Sequence, residues 1–126
     1  MRMCFCMAAL AMGLLTPPAY ACGACDEDKI AATYDHAVIE QAKREHRAVV
    51  FAAIQGDADA GRLEKAAADA ARRAHGVDRS SVRSSQSPLA LSFSLDGRIA
   101  PEKALAEIGR GAARSGAHLA LLKVQR

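Results

Sequence analysis

Tryptophan is absent, and two Tyr and three Phe are the whole aromatic complement of 126 residues. That scarcity removes the stacking platforms on which single-stranded nucleic acids are held. The net charge is only +3, and no basic stripe is interleaved with aromatics, so a nucleic-acid surface is not expected. No apolar run reaches the roughly 20 residues of a membrane-crossing helix. Gly109, Gly111 and Gly116, with Arg110 and Arg114, do not form a phosphate loop, because no strand directly precedes them. No Ser/His/Asp constellation stands out, and no internal repeat or low-complexity linker is present. Cysteine is scarce as well: there are four, and Cys4 and Cys6 fall in the first few residues.

Those first residues read as a targeting segment. Arg2 supplies a positive start, Met3 to Leu15 is a short apolar run, and Pro17-Pro18 interrupts it. Ala19-Tyr20-Ala21 then matches a small-residue cleavage site. The expectation is a signal peptide over 1–21 and a periplasmic or secreted protein of about 105 residues, enough for one small domain. Only Cys22 and Cys25 remain after such a cut, in an oxidising compartment. A lipid anchor on Cys22 is the competing outcome. Ala19, rather than Leu, stands three residues before that cysteine and fits a lipidation site poorly. An acylated Cys22 would be a thioether and could not act as a thiolate.

The mature chain would therefore open on Cys22-Gly23-Ala24-Cys25. Two thiols at this spacing can hold a soft metal, close a disulfide or exchange with other thiols. Cu(I) accepts two or three ligands, whereas Zn(II) usually wants four, so Cu(I) is the expected metal and Zn(II) the second choice. Cys22 and Cys25 are the candidate metal ligands; no residue is assigned a catalytic role. A thiol–disulfide redox protein is the alternative, since the motif precedes a helix as in thioredoxin-like proteins, but here no buried strand comes before it. A non-catalytic module that docks on another envelope protein is the third reading. His36, His46, His75 and His118 read as surface or capping residues. Asp57 and Asp59 read as helix caps.

Asp26-Glu27-Asp28 opens a helical pattern expected to run to about His46, with Ile30, Tyr34, Ala37, Val38 and Ala42 inward and Ile39 off the stripe. Ala48 to Ile54 is apolar on both faces and predicts a central strand. A helix follows, with Leu63, Ala66, Ala67, Ala70 and Ala74 inward and Gly76 as its stop. Ser81 to Ser87 is a polar edge-strand candidate. Leu89 to Leu95 alternates cleanly and predicts the next strand. Pro101 starts a third helix with Ala104, Leu105, Ile108 and Ala112 inward, and His118 to Val124 is the last strand.

The order from Ala48 is β-α-β-β-α-β, which predicts an α+β fold of the ferredoxin-like type preceded by an extra N-terminal helix. The segments are a leader (1–21), a C-x-x-C segment with its helix (22–47) and the ferredoxin-like domain (48–126). Gly76-Val77-Asp78 leading into two strands, and Pro101-Glu102-Lys103-Ala104-Leu105 opening the last helix, make this part similar to the heavy-metal-associated domain of copper chaperones and metal-transporting ATPases. The resemblance covers about 75 residues and implies a metal-handling protein with a metal-handling or envelope partner. That family carries its C-x-x-C in the loop after the first strand. Here the loop is Gln55 to Ala60 and holds no cysteine, so the family's site does not transfer to it. If the leading helix runs antiparallel to the first strand, its start lies toward the same end of the sheet as that loop.

Overall fold

The computed structural model describes Tyr34 and residues 36–126. Helix α1 (His36–Arg44) leads to β1 (Arg47–Gln55), α2 (Ala60–Arg73), β2 (Arg83–Gln86), β3 (Leu89–Asp96), α3 (Pro101–Ala112) and β4 (His118–Gln125). The strands form one antiparallel sheet in the order β2-β3-β1-β4. Among the described residues the fold is α+β with three α-helices, and the order is compatible with a ferredoxin-like arrangement. Among the described residues no helix is long and apolar enough to cross a membrane.

β1 is central because both its faces are apolar and both are covered. Val50, Ala52 and Ile54 point toward α2 and α3 and join Leu91, Phe93 and Leu95 of β3 in the larger core. Val49 and Phe51 point the other way, into a smaller cluster with Tyr34, Ile39, Ala42 and Ala90. On that second face β3 presents Ser92 and Ser94, both buried, opposite Phe51 and Val49. Their small side chains let α1 lie close to the sheet.

The helix ends follow their local signals. Asp59 caps α2 by accepting a hydrogen bond from the backbone N–H of Arg62 at 3.2 Å. Pro101 stands in the first turn of α3, where its missing N–H costs nothing. The expected inward residues of α2 and α3 are buried or nearly so, and Ala68 and Ala71 join them. The alanine-rich face brings α2 and α3 together so closely that a Cβ on Gly111 would stand 3.1 Å from that of Ala70.

Two expectations need correction. Ile39, expected off the α1 stripe, is buried, whereas Ala37, expected on it, is exposed. α1 has nine residues. Over so short a length the larger side chain takes the interior, because burying Ile removes far more apolar area from water than burying Ala. Tyr34 lies at a bend ahead of α1, and the rest of the expected leading helix falls outside the described residues. The polar strand expected from Ser81 begins only at Arg83. Asp78 accepts from Ser80 N–H at 3.0 Å and caps a 3-10 turn over Arg79–Ser81. Ser81 Oγ then accepts from Ser94 N–H at 2.7 Å, so a side chain takes the place of a ladder bond.

Candidate functional site

Cys22 and Cys25, the predicted metal ligands, lie outside the described residues. The described structure does show where their segment joins the sheet. Tyr34, nine positions after Cys25, is 4% exposed and meets Phe51 edge-on, with ring centroids 5.6 Å apart. Its hydroxyl donates to the Ser81 carbonyl at 2.9 Å, and burial raises the phenol above its ordinary range. Tyr34 is therefore an anchor: the ring is desolvated while its one polar atom is satisfied. Nine residues span at most about 30 Å from there, which bounds how far Cys25 can stand from the Tyr34 site.

α1 packs on β1, with Ile39 and Ala42 in one cluster with Val49 and Phe51. The Gln55 to Ala60 loop follows β1. That loop is committed to structure. Asp59 is the α2 cap, and Gly56 sits so near the β4 lead-in that an added Cβ would meet the Gly116 carbonyl at 2.7 Å. Asp57 is exposed. Nothing in the loop resembles a ligand set.

The histidines are not brought together. His36 opens α1 and His46 lies two residues beyond its end, and His75 follows α2, where its backbone N–H donates to Glu107 Oε1 at 3.0 Å. His118 opens β4. Among the described residues no group of three or more His, Cys, Asp or Glu could hold a metal ion. The carboxylates with lowered pKa serve local bonds. Asp96 is held far below its usual range by the Arg98 guanidinium at 2.9 Å, Asp69 is lowered by Lys65, and Asp78 by Ser80.

Arg47 was not singled out by the sequence. It is partly buried on the α1 side of the sheet. Its Nε donates to Ser94 Oγ at 2.9 Å, and its Nη2 donates to the carbonyls of Gly76 (2.8 Å) and Ser94 (3.2 Å). Every acceptor is neutral, which marks a tie between β1 and β3 rather than an anion site. No sequence pattern announces such a role, because all the partners are distant in the chain.

The other feature the sequence missed is a groove between α3 and β4. Leu105, Ala106, Gly109 and Ala113 form its helix wall, Leu119 and Leu121 its strand wall, and Glu102 and His118 its two ends. Leu121, 38% exposed, is the exposed large hydrophobic side chain among the described residues. A Cβ on Gly109 would meet nothing within 4 Å, so the groove stays open at its midpoint.

No protein family, curated protein or solved structure matches the chain. The site must be argued from its own residues. Those residues offer a thiol pair nine positions ahead of Tyr34 in the sequence, and an apolar groove beside β4.

Proposed function

We propose that this chain is an exported protein that binds or delivers a soft metal, Cu(I) in the first place, through Cys22 and Cys25. The observation that carries this reading is the C-x-x-C pair directly after an A-x-A cleavage pattern. The strand order supports it further, since a βαββαβ sheet of ferredoxin-like type is the scaffold of the heavy-metal-associated domains that the sequence resembles. The metal is cargo: the two thiolates capture it, and a partner's thiols take it by ligand exchange, with no bond chemistry on any other substrate.

Titration of the purified protein with Cu(I) against a competing chelator tests the proposal. The expected result is one Cu(I) per chain with sub-micromolar affinity, lost in Cys22→Ser and in Cys25→Ser. Cu(I) binding that survives both substitutions would overturn it. No Cu(I) binding, together with turnover in a disulfide-reductase assay, would put the thiol–disulfide reading in its place. The mass of the exported protein's N-terminal peptide shows whether Cys22 is free or lipidated.

A further inference from the structure

The basic side chains of the α2–α3 layer outnumber its acids. Over α2, α3 and the 3-10 turn Ala113–Ser115 that continues α3, seven Lys or Arg stand against four Asp or Glu. The difference equals the formal +3 of the whole chain, so the net charge is gathered on this layer. Its acids are also spent locally. Glu64 accepts from Ser84 Oγ and Gln86 Nε2 of β2, both at 2.7 Å. Asp69 accepts from Lys65 at 2.8 Å and from Arg72 at 3.2 Å, and Glu107 accepts from the His75 N–H. Glu102, in the first turn of α3, lines the other groove, with His118. Asp59, just ahead of the layer, is the α2 cap.

A cleft between α2 and the end of α3 collects arginines that those acids leave unanswered. Arg62, Arg73 and Arg114 line it, with Ala66, Gly111 and Ser115 between them. Positions 62, 66, 69 and 73 recur at helical spacing and form one stripe of α2. Among the described residues none of the three guanidinium groups has a hydrogen bond or an ion pair. Asp69 lines the cleft too, but its two oxygens are held by Lys65 and Arg72. Ser115 Oγ donates to the Ala112 carbonyl at 2.6 Å, so its proton is already used. The side-chain donors that remain are the guanidinium N–H groups, five on each arginine. A surface shaped for solubility alone intersperses charges of both signs, as Lys65, Asp69 and Arg72 do. Three like charges around one cleft, drawn from two elements and without a counter-charge, fit an anion from outside the chain.

We propose that this cleft binds a ligand that presents more than one phosphate group. Phosphate suits it because ionised phosphate oxygens accept hydrogen bonds, and the planar guanidinium fork matches them in pairs. More than one group is needed because of length. Arg62 and Arg73 are rooted on one stripe about 16 Å apart along α2, a distance that a single phosphate does not bridge. Arg114 adds a donor from the α3 side of the cleft. The same chemistry has two sources: a soluble polyphosphate, or a row of lipid phosphates at a membrane surface. A nucleic acid fits less well, since no aromatic side chain lines the cleft to stack a base.

Amide NMR of the whole chain, titrated with tripolyphosphate and separately with orthophosphate at matched ionic strength, tests the soluble source. Co-sedimentation with phosphatidylglycerol vesicles, against phosphatidylcholine vesicles, tests the lipid source. The expected result is binding in at least one of these arms: saturable shifts at Gly111 and Ser115 with tripolyphosphate, at least tenfold tighter than with orthophosphate, or sedimentation with the anionic vesicles alone. Arg62→Gln, Arg73→Gln and Arg114→Gln should each weaken it about threefold or more, and the triple variant should lose it. Arg44→Gln removes the same charge from α1, on the other face of the sheet, and should leave binding unchanged. The melting temperature without ligand should stay the same in every variant, because none of the three arginines has a described partner to lose. Failure to bind tripolyphosphate and anionic vesicles alike would overturn the proposal. So would binding that survives in the triple variant, an equal loss in Arg44→Gln, or orthophosphate binding as tightly as tripolyphosphate. Metal is left out of every sample and the cleft contains neither cysteine, so the outcome is independent of the Cu(I) reading.

Discussion

The two faces of the sheet are built to different standards. The α2–α3 face buries a continuous cluster that includes Phe93, Leu63, Leu91, Leu95 and Ile108, each almost inaccessible to solvent. Among the described residues the opposite face is covered by a nine-residue helix and one tyrosine, and its cluster has six buried residues. A thin cover is held by specific ties instead of volume. Tyr34 reaches the Ser81 carbonyl, and Arg47 binds the Gly76 and Ser94 carbonyls and Ser94 Oγ. The lesson is that the thick face supplies most of the stability of the domain. The thin face positions the root of the segment that carries Cys22 and Cys25.

The contrast can be broken by substitution, beginning on the thick face. Phe93→Ala should destabilise the domain by roughly 3–5 kcal/mol in urea unfolding, because the cavity lies among elements that cannot collapse into it. Ile39→Ala on the thin face should cost about 2 kcal/mol, the low end for such truncations, since a short peripheral helix can settle into the gap. Hydrogen exchange should then show α1 opening ahead of β1 and β3; equal loss of protection throughout would erase the distinction between the faces. Tyr34→Phe keeps the ring on Phe51 and removes the bond to Ser81, for about 1 kcal/mol.

His46 takes a positive φ of 54° at the turn between α1 and β1. His46→Gly relieves that strain and should raise stability by up to about 1 kcal/mol, read as a rise in melting temperature. The smallest effect concerns acid. The Asp78 carboxyl is lowered from 3.8 by the Ser80 bonds, so its cap contributes fully above that value and is lost as pH falls through the lowered pKa. Asp78→Asn should flatten the acid decline of the thin-face signal, the fluorescence of Tyr34, and leave the neutral-pH value nearly unchanged.

Much of the fold was legible because its signals are local. The doubly apolar run Ala48 to Ile54, the alternation of Leu89 to Leu95, the Pro101 start and the Asp59 cap each depend on a few neighbouring residues, and each has its element in the structure. The phase of α1 was misread, because nine residues hold too few turns to separate Ile39 from Ala37 by period alone. The start of β2 was misplaced because Ser81 is engaged by Ser94, a partner thirteen residues away that no local pattern indicates. Of the candidate site, the thiol pair was legible as a motif. The groove was not, since Leu121 and Gly109 line one space only when α3 is laid beside β4.

The sequence by itself determined the alternation of strands and helices, the two-sided burial of β1 and the C-x-x-C pair, because these rest on side-chain period, cap chemistry and covalent order. Only the tertiary structure decided that Arg47 is a tie between strands and that Tyr34 roots the thiol segment on the sheet. It also decided that β2 is an edge braced by Glu64 while β4, among the described residues, is an edge with no strand beside it. Those properties depend on which distant residues become neighbours, and that is settled when the strands take their places in the sheet.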